Sequence, residues 1–89
     1  MSIWMASSNT CRDFDDWKTV FDSKSAWRQD HGVTGQMVFR DGNDLMVLLE
    51  FADVATRDAY LADPTLRQNM QEAGVIGVPE TTGPWERVS

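Results

Sequence analysis

The chain has 89 residues, with 14 acidic against 8 basic side chains and a net charge of −6. That length is one domain, residues 1–89, and scattered bases on an acidic chain make no phosphate-binding surface, so nucleic acid is not an expected partner. A single cysteine excludes internal disulfides and a cysteine-based zinc site, and no apolar run approaches the ~20 residues of a membrane span.

In chain order, Ile3 to Ser8 alternates as a strand does, with Ile3 and Met5 on one side and Trp4 and Ala6 on the other. Within the N-terminus no basic region precedes an apolar block, so no signal peptide is read there. Together with the free cysteine this predicts a cytoplasmic protein. The polar run SNTCRD then leads to a helix. Asp13 is a favoured N-cap, and Asp15 and Asp16 suit the positive end of the helix dipole. The pattern predicts a helix from Phe14 to about Asp30, stopped by Gly32.

Thr34 to Arg40 reads as a second strand, DGND at Asp41 to Asp44 as a hairpin turn, and Leu45 to Phe51 as a third strand. The third is nearly continuously apolar, as expected of a central strand covered on both faces. Asp53 caps a second helix, and Pro64 either interrupts it or begins a following segment, TLRQNMQEA, that Gly74 ends. Val75 to Val78 reads as a short apolar link. A last strand is expected within Pro79 to Val88, irregular or at an edge because of Pro79 and Pro84.

The order β-α-β-β-α-β predicts the α+β, ferredoxin-like arrangement, an antiparallel sheet with both helices on one face. Nothing in so short a chain remains to cover the other face. A homodimer is the expected remedy.

One stretch resists this simple scheme. In DDWKTVFDSKSAWRQDHG, at about 100° per residue, Lys24, Arg28 and His31 fall within the arc marked by Trp17, Val20 and Phe21. Two readings stand. Either the helix overruns the sheet and its cations are solvated at the negative end of the dipole, or its second half forms the wall of a pocket. In the second reading Arg28 would hold a carbonyl, enolate or carboxylate oxygen. His31 would serve as general acid or base, and Lys24 would stabilise negative charge or act as a base. Trp4, Trp17, Trp27, Met37, Met46 and Trp85 are the candidate walls of a cavity for a flat apolar ligand, or simply core. Cys11 reads as inert, and no spacing of carboxylates or histidines marks a metal site.

DFDDWKTVFD, GVTGQMVFRDGNDLMVLLEFAD and ADPTLRQNMQEAGVIGVPE together resemble the dimeric α+β barrel superfamily. The likeness runs from about Ile3 to Glu80 and is greatest to the small antibiotic-biosynthesis-monooxygenase-like and polyketide cyclase-like proteins. The resemblance implies two sheets meeting in a homodimeric barrel with the helices outside. It also implies an activity without flavin, metal or other cofactor, on an electron-rich aromatic substrate that forms a carbanion and reacts directly with oxygen. Members of that branch often carry histidine where this chain has Lys24.

The expectation is therefore a small cofactor-independent enzyme of secondary metabolism acting on an aromatic or polyketide-like molecule, either a monooxygenase or a cyclase, with the resemblance favouring the monooxygenase. The alternative is a non-catalytic dimeric module that binds a small hydrophobic molecule or assists a partner enzyme.

Overall fold

The computed structural model describes residues 1–89 as four strands and four helices. In chain order these are β1 (Ile3–Cys11), α1 (Phe14–Ser23), α2 (Ser25–Asp30), β2 (Val33–Asp41), β3 (Asp44–Phe51), α3 (Val54–Ala62), α4 (Pro64–Glu72) and β4 (Val75–Trp85). The strands form one sheet in the order β2-β3-β1-β4, and every neighbouring pair is antiparallel. This is the expected ferredoxin-like sheet; the second helical stretch divides at Pro64 as expected, and the first is delivered as two shorter helices.

Alternation along the strands sorts the two faces. Met5, Ser7 and Cys11 of β1 are buried, as are Leu45, Val47, Leu49 and Phe51 of β3. The register sets Met5 against Leu49 and Ser7 against Val47, so these residues share one face. Trp17, Tyr60 and Ala73 from the helical layer complete the core on that side. The other face carries Trp4, Met37, Phe39, Met46, Leu48, Ile76 and Trp85 by the same alternation. Phe39, Ile76 and Trp85 are more than half exposed. So β3 is central, as expected, but within one chain it is covered on one face only.

The helix starts follow their caps. The Asp13 carboxylate accepts the Asp16 N–H at 3.0 Å, Asp53 accepts that of Thr56 at 2.8 Å, and Asp63 accepts that of Thr65 at 2.9 Å. Pro64 opens α4, where its missing N–H removes no helical bond. Gly32 is a stop for two reasons. It sits at φ +97°, and a Cβ there would overlap the Thr56 side chain.

Three boundaries differ from the sequence reading. The predicted helix from Phe14 to about Asp30 breaks at Lys24, where φ −98° and ψ 11° leave the helical basin. The first strand continues past Ser8 to Cys11, because its polar Ser7 and Asn9 face the helices while its backbone still pairs with β3 and β4. Val75 to Val78 is the start of β4 and not a link, with Cys11 opposite Val75 and Thr10 opposite Ile76.

The β2–β3 hairpin tip fixes the corner between β1 and α1. The Asn43 side-chain carbonyl accepts the Phe14 N–H at 3.1 Å, and its amide donates to the Arg12 carbonyl at 3.3 Å. Its backbone carbonyl accepts the Cys11 N–H at 2.9 Å. Replacing Asn43 with Ala keeps only the backbone contact. We expect a loss of about 1–2 kcal/mol in equilibrium urea unfolding. An unchanged midpoint would show that the side chain does not hold this corner.

Candidate functional site

A cavity of about 90 Å³ lies between the sheet and the helices. Its floor is the inner face of the sheet, including Met5, Ser7 and Asn9 of β1, Val47 and Leu49 of β3, and Thr81 of β4. Trp17, Phe21, Trp27 and Arg28 wall it from α1 and α2, and Tyr60 from α3. Leu66, Asn69 and Met70 of α4 close it, although α4 contributes no fully buried residue. The lining is mainly apolar and contains no carboxylate and no histidine.

Arg28 is the centre of the site. It is only 4% exposed. Its Nη1 donates to the Phe21 carbonyl at 2.7 Å, near the end of α1, an oxygen that also accepts the Lys24 N–H at 3.2 Å. Its Nε donates to the Gln36 side-chain oxygen of β2 at 3.3 Å. The guanidinium carbon sits 3.6 Å above the centre of the Phe21 ring, which itself stacks on Trp17 at 4.6 Å. Nη2 is buried without any acceptor. No carboxylate forms an ion pair with Arg28. Burial pushes its pKa down, offset in part by Tyr60 and Asp22. A guanidinium nonetheless stays cationic near neutral pH.

The break at Lys24 explains why the three cations part company. Lys24 lines the cavity, but its Nζ pairs with Glu72 at the end of α4 at 2.8 Å. Arg28, one turn on, points inward. His31 lies beyond the last turn of α2 and outside the cavity lining. Its ring stacks on Trp27 at 4.3 Å, with Nδ1 2.7 Å from the Trp27 carbonyl and Nε2 3.3 Å from the Asp63 carboxylate. As a candidate acid or base inside this cavity His31 is therefore displaced by the geometry.

Of the expected aromatic and methionine walls, Trp17 and Trp27 line the cavity. Trp4, Met37, Met46 and Trp85 do not, because their positions in the strands turn them to the opposite sheet face. Trp4 is nonetheless buried, its ring reaching across β3 toward Gly35, where an added Cβ would stand 3.4 Å from Trp4 Cη2.

The sequence reading did not place Ser7, Asn9, Tyr60 or Asn69 in a pocket. Ser7 and Asn9 share the parity of Met5, so a polar run at buried strand positions was their available signal. Asn9 donates to the Ser7 hydroxyl oxygen at 3.1 Å. No group of three or more His, Cys, Asp or Glu side chains is positioned to hold a metal ion.

Burial pushes the Tyr60 pKa up to about 12, with the Arg28 charge opposing the shift. Tyr60 is thus a neutral phenol, a hydrogen-bond donor, at physiological pH. The folded state holds this proton more tightly than the unfolded state does. Its stabilising effect is complete below the unfolded pKa of about 10 and lost as pH rises toward 12. We expect stability to fall between those values by at most about 3 kcal/mol. The part of the fall that Tyr60→Phe removes, in urea titrations at each pH, is the contribution of this group.

No protein-family model matches the sequence, and no curated protein matches it. Solved structures do. SnoaB, a cofactor-independent oxygenase from Streptomyces nogalater, superposes with a TM-score of 0.75 at 13% identity, covering 98% of this chain and 96% of that one. A Caulobacter crescentus protein assigned as an antibiotic biosynthesis monooxygenase gives 0.72 at 12% identity, over 91% and 85%. The monooxygenase ActVA-Orf6 from Streptomyces coelicolor, solved with nanaomycin D, gives 0.65 at 12% identity, over 99% and 89%. At such identities the likeness is one of fold: the chain has the ferredoxin-like α+β fold of these antibiotic-biosynthesis-monooxygenase-like structures.

Proposed function

We propose that this protein is a small cofactor-independent enzyme of secondary metabolism, oxidising an aromatic or polyketide-like substrate in the cavity roofed by its helices. The observation that carries the reading is Arg28, a buried cation with no carboxylate partner and one nitrogen left without an acceptor. Burying a charge unpaired is costly, so such a group is retained where a ligand supplies the anion. The stacked Phe21 and Trp17 rings beside it suit an aromatic body. The oxygenases among the structural neighbours support the same direction.

The chemistry follows from that charge. Ionising a hydroxyarene or its keto tautomer puts electron density on a ring carbon and negative charge on oxygen. Arg28 stabilises the oxygen, and neutral Tyr60 is available as a second donor. The carbanion donates its electrons to dioxygen. For a methylene the balance is CH2 + O2 → C=O + H2O, with all four electrons coming from the substrate. Such a route requires no flavin or metal. Lys24, the other basic side chain of the lining, is already paired with Glu72, and the proton lost by the hydroxyarene passes to solvent water. Ring closure by the same carbanion onto an internal carbonyl is the cyclase variant.

The absence of carboxylate and histidine from the lining favours one second reading, a cavity that binds the anion without transforming it. Oxygen uptake separates the two. With electron-rich hydroxyarenes as substrates, an oxygen electrode should record turnover by the parent. Arg28→Gln should lower it by about 100-fold, in the range seen when one oxyanion donor is removed. Binding without uptake selects the second reading, and equal uptake by parent and variant removes Arg28 from the mechanism.

The apolar sheet face calls for a second copy of the chain. Its exposed Phe39, Ile76 and Trp85, with Met37 and Met46 between, form the kind of patch that marks an interface. Sedimentation at micromolar concentration should give a dimer, and Phe39→Asp should shift it to monomer. A monomeric parent would leave this face without its proposed cover.

A further inference from the structure

We infer that the ligand of the cavity is a single-ring phenol, bound as its phenolate with the oxygen at Nη2 of Arg28. The inference narrows the aromatic reading proposed above and rests on it. Three observations converge. The first is size. An apolar cavity of about 150 Å³ holds benzene. Here about 90 Å³ is open, which falls short of one ring by an amount that flexible side chains can yield. Met70 and Leu66 of α4 line the cavity, and neither is fully buried.

The second is charge. Lys24 is already matched by Glu72, and Arg28 is the lining cation without a counter-ion. The site therefore has one positive charge to match. A monoanion neutralises it, whereas a dianion such as a phosphate ester would bring a second negative charge into an apolar enclosure.

The third is the count of donors. Of the five N–H donors of Arg28, one on Nη1 goes to the Phe21 carbonyl and that of Nε to Gln36. Nη2 has no acceptor at all, with Tyr60 as the neighbouring neutral hydroxyl. With Nε on Gln36, the side-on fork that joins Nε and Nη2 to a carboxylate is taken. A phenolate oxygen needs one nitrogen and places its ring among the aromatic walls.

The test uses 4-nitrophenol, whose phenolate absorbs in the visible while the phenol does not. Binding to the parent protein should lower its apparent pKa by about one unit or more. Nitrobenzene, the neutral analogue, should bind at least about tenfold more weakly. 4-Nitro-1-naphthol and 1-hydroxyanthraquinone should bind progressively more weakly, by about tenfold at each added ring. Arg28→Met should abolish the pKa shift, and Arg28→Lys, which keeps the charge, should retain part of it.

Equal or tighter binding of the three-ring phenol overturns the single-ring assignment and leaves the anion site standing. A bound 4-nitrophenol with no shift in the parent overturns the phenolate assignment. Failure of every arene, charged or neutral, to bind overturns the aromatic reading of the cavity itself.

Discussion

A guanidinium held inside the protein without a carboxylate is the constraint around which this small domain is arranged. Arg28 is kept in place by groups that do not neutralise it: a helix carbonyl, an amide oxygen and the face of a phenyl ring. Each satisfies a donor or a surface of the side chain. None removes its net charge, and desolvation therefore stays only partly compensated. The break in the first helix serves the same end. By leaving the helical basin at Lys24, the backbone turns the second segment so that Arg28 enters the cavity while Lys24 reaches Glu72 at its edge.

Much of the fold could be read from residues whose physics is local. Asp13, Asp53 and Pro64 mark helix starts because caps and proline act within one turn. The DGND turn and the apolar run after it place the hairpin for similar reasons. The element order then follows from the alternation of these signals. The helix break at Lys24 was not legible. Lysine and serine are ordinary helix residues, and a wheel treats the axis as straight, so the sequence pattern carried Lys24, Arg28 and His31 round together. The true axis sorts them into an edge, an interior and an outer surface.

The same limit shows in the candidate walls. Strand parity was available for β1, but parity alone does not say which face the helices will cover. Trp4 and Met5 are adjacent and equally apolar, and only Met5 looks into the cavity. Bulk drew attention to Met37, Met46 and Trp85, whereas the cavity floor uses the smaller Ser7 and Asn9. Tyr60 has no sequence partner that announces it, because its neighbours in space come from two distant elements, α2 and β3. The sheet thus separates two tasks by parity. One face encloses the candidate site, and the other is left apolar and open.

The fourth helix carries a different kind of consequence. It closes the cavity yet buries none of its own residues completely, and its far end is tied to the first helical pair by the Lys24–Glu72 contact, which is partly solvent-exposed. A segment with so little buried anchorage belongs to the low-stability end of a folded chain, where local opening occurs without global unfolding. Amide exchange along residues 64–72 would then be governed by sub-global opening, and the lifetime of a molecule in the cavity would follow that opening and not the stability of the sheet beneath it.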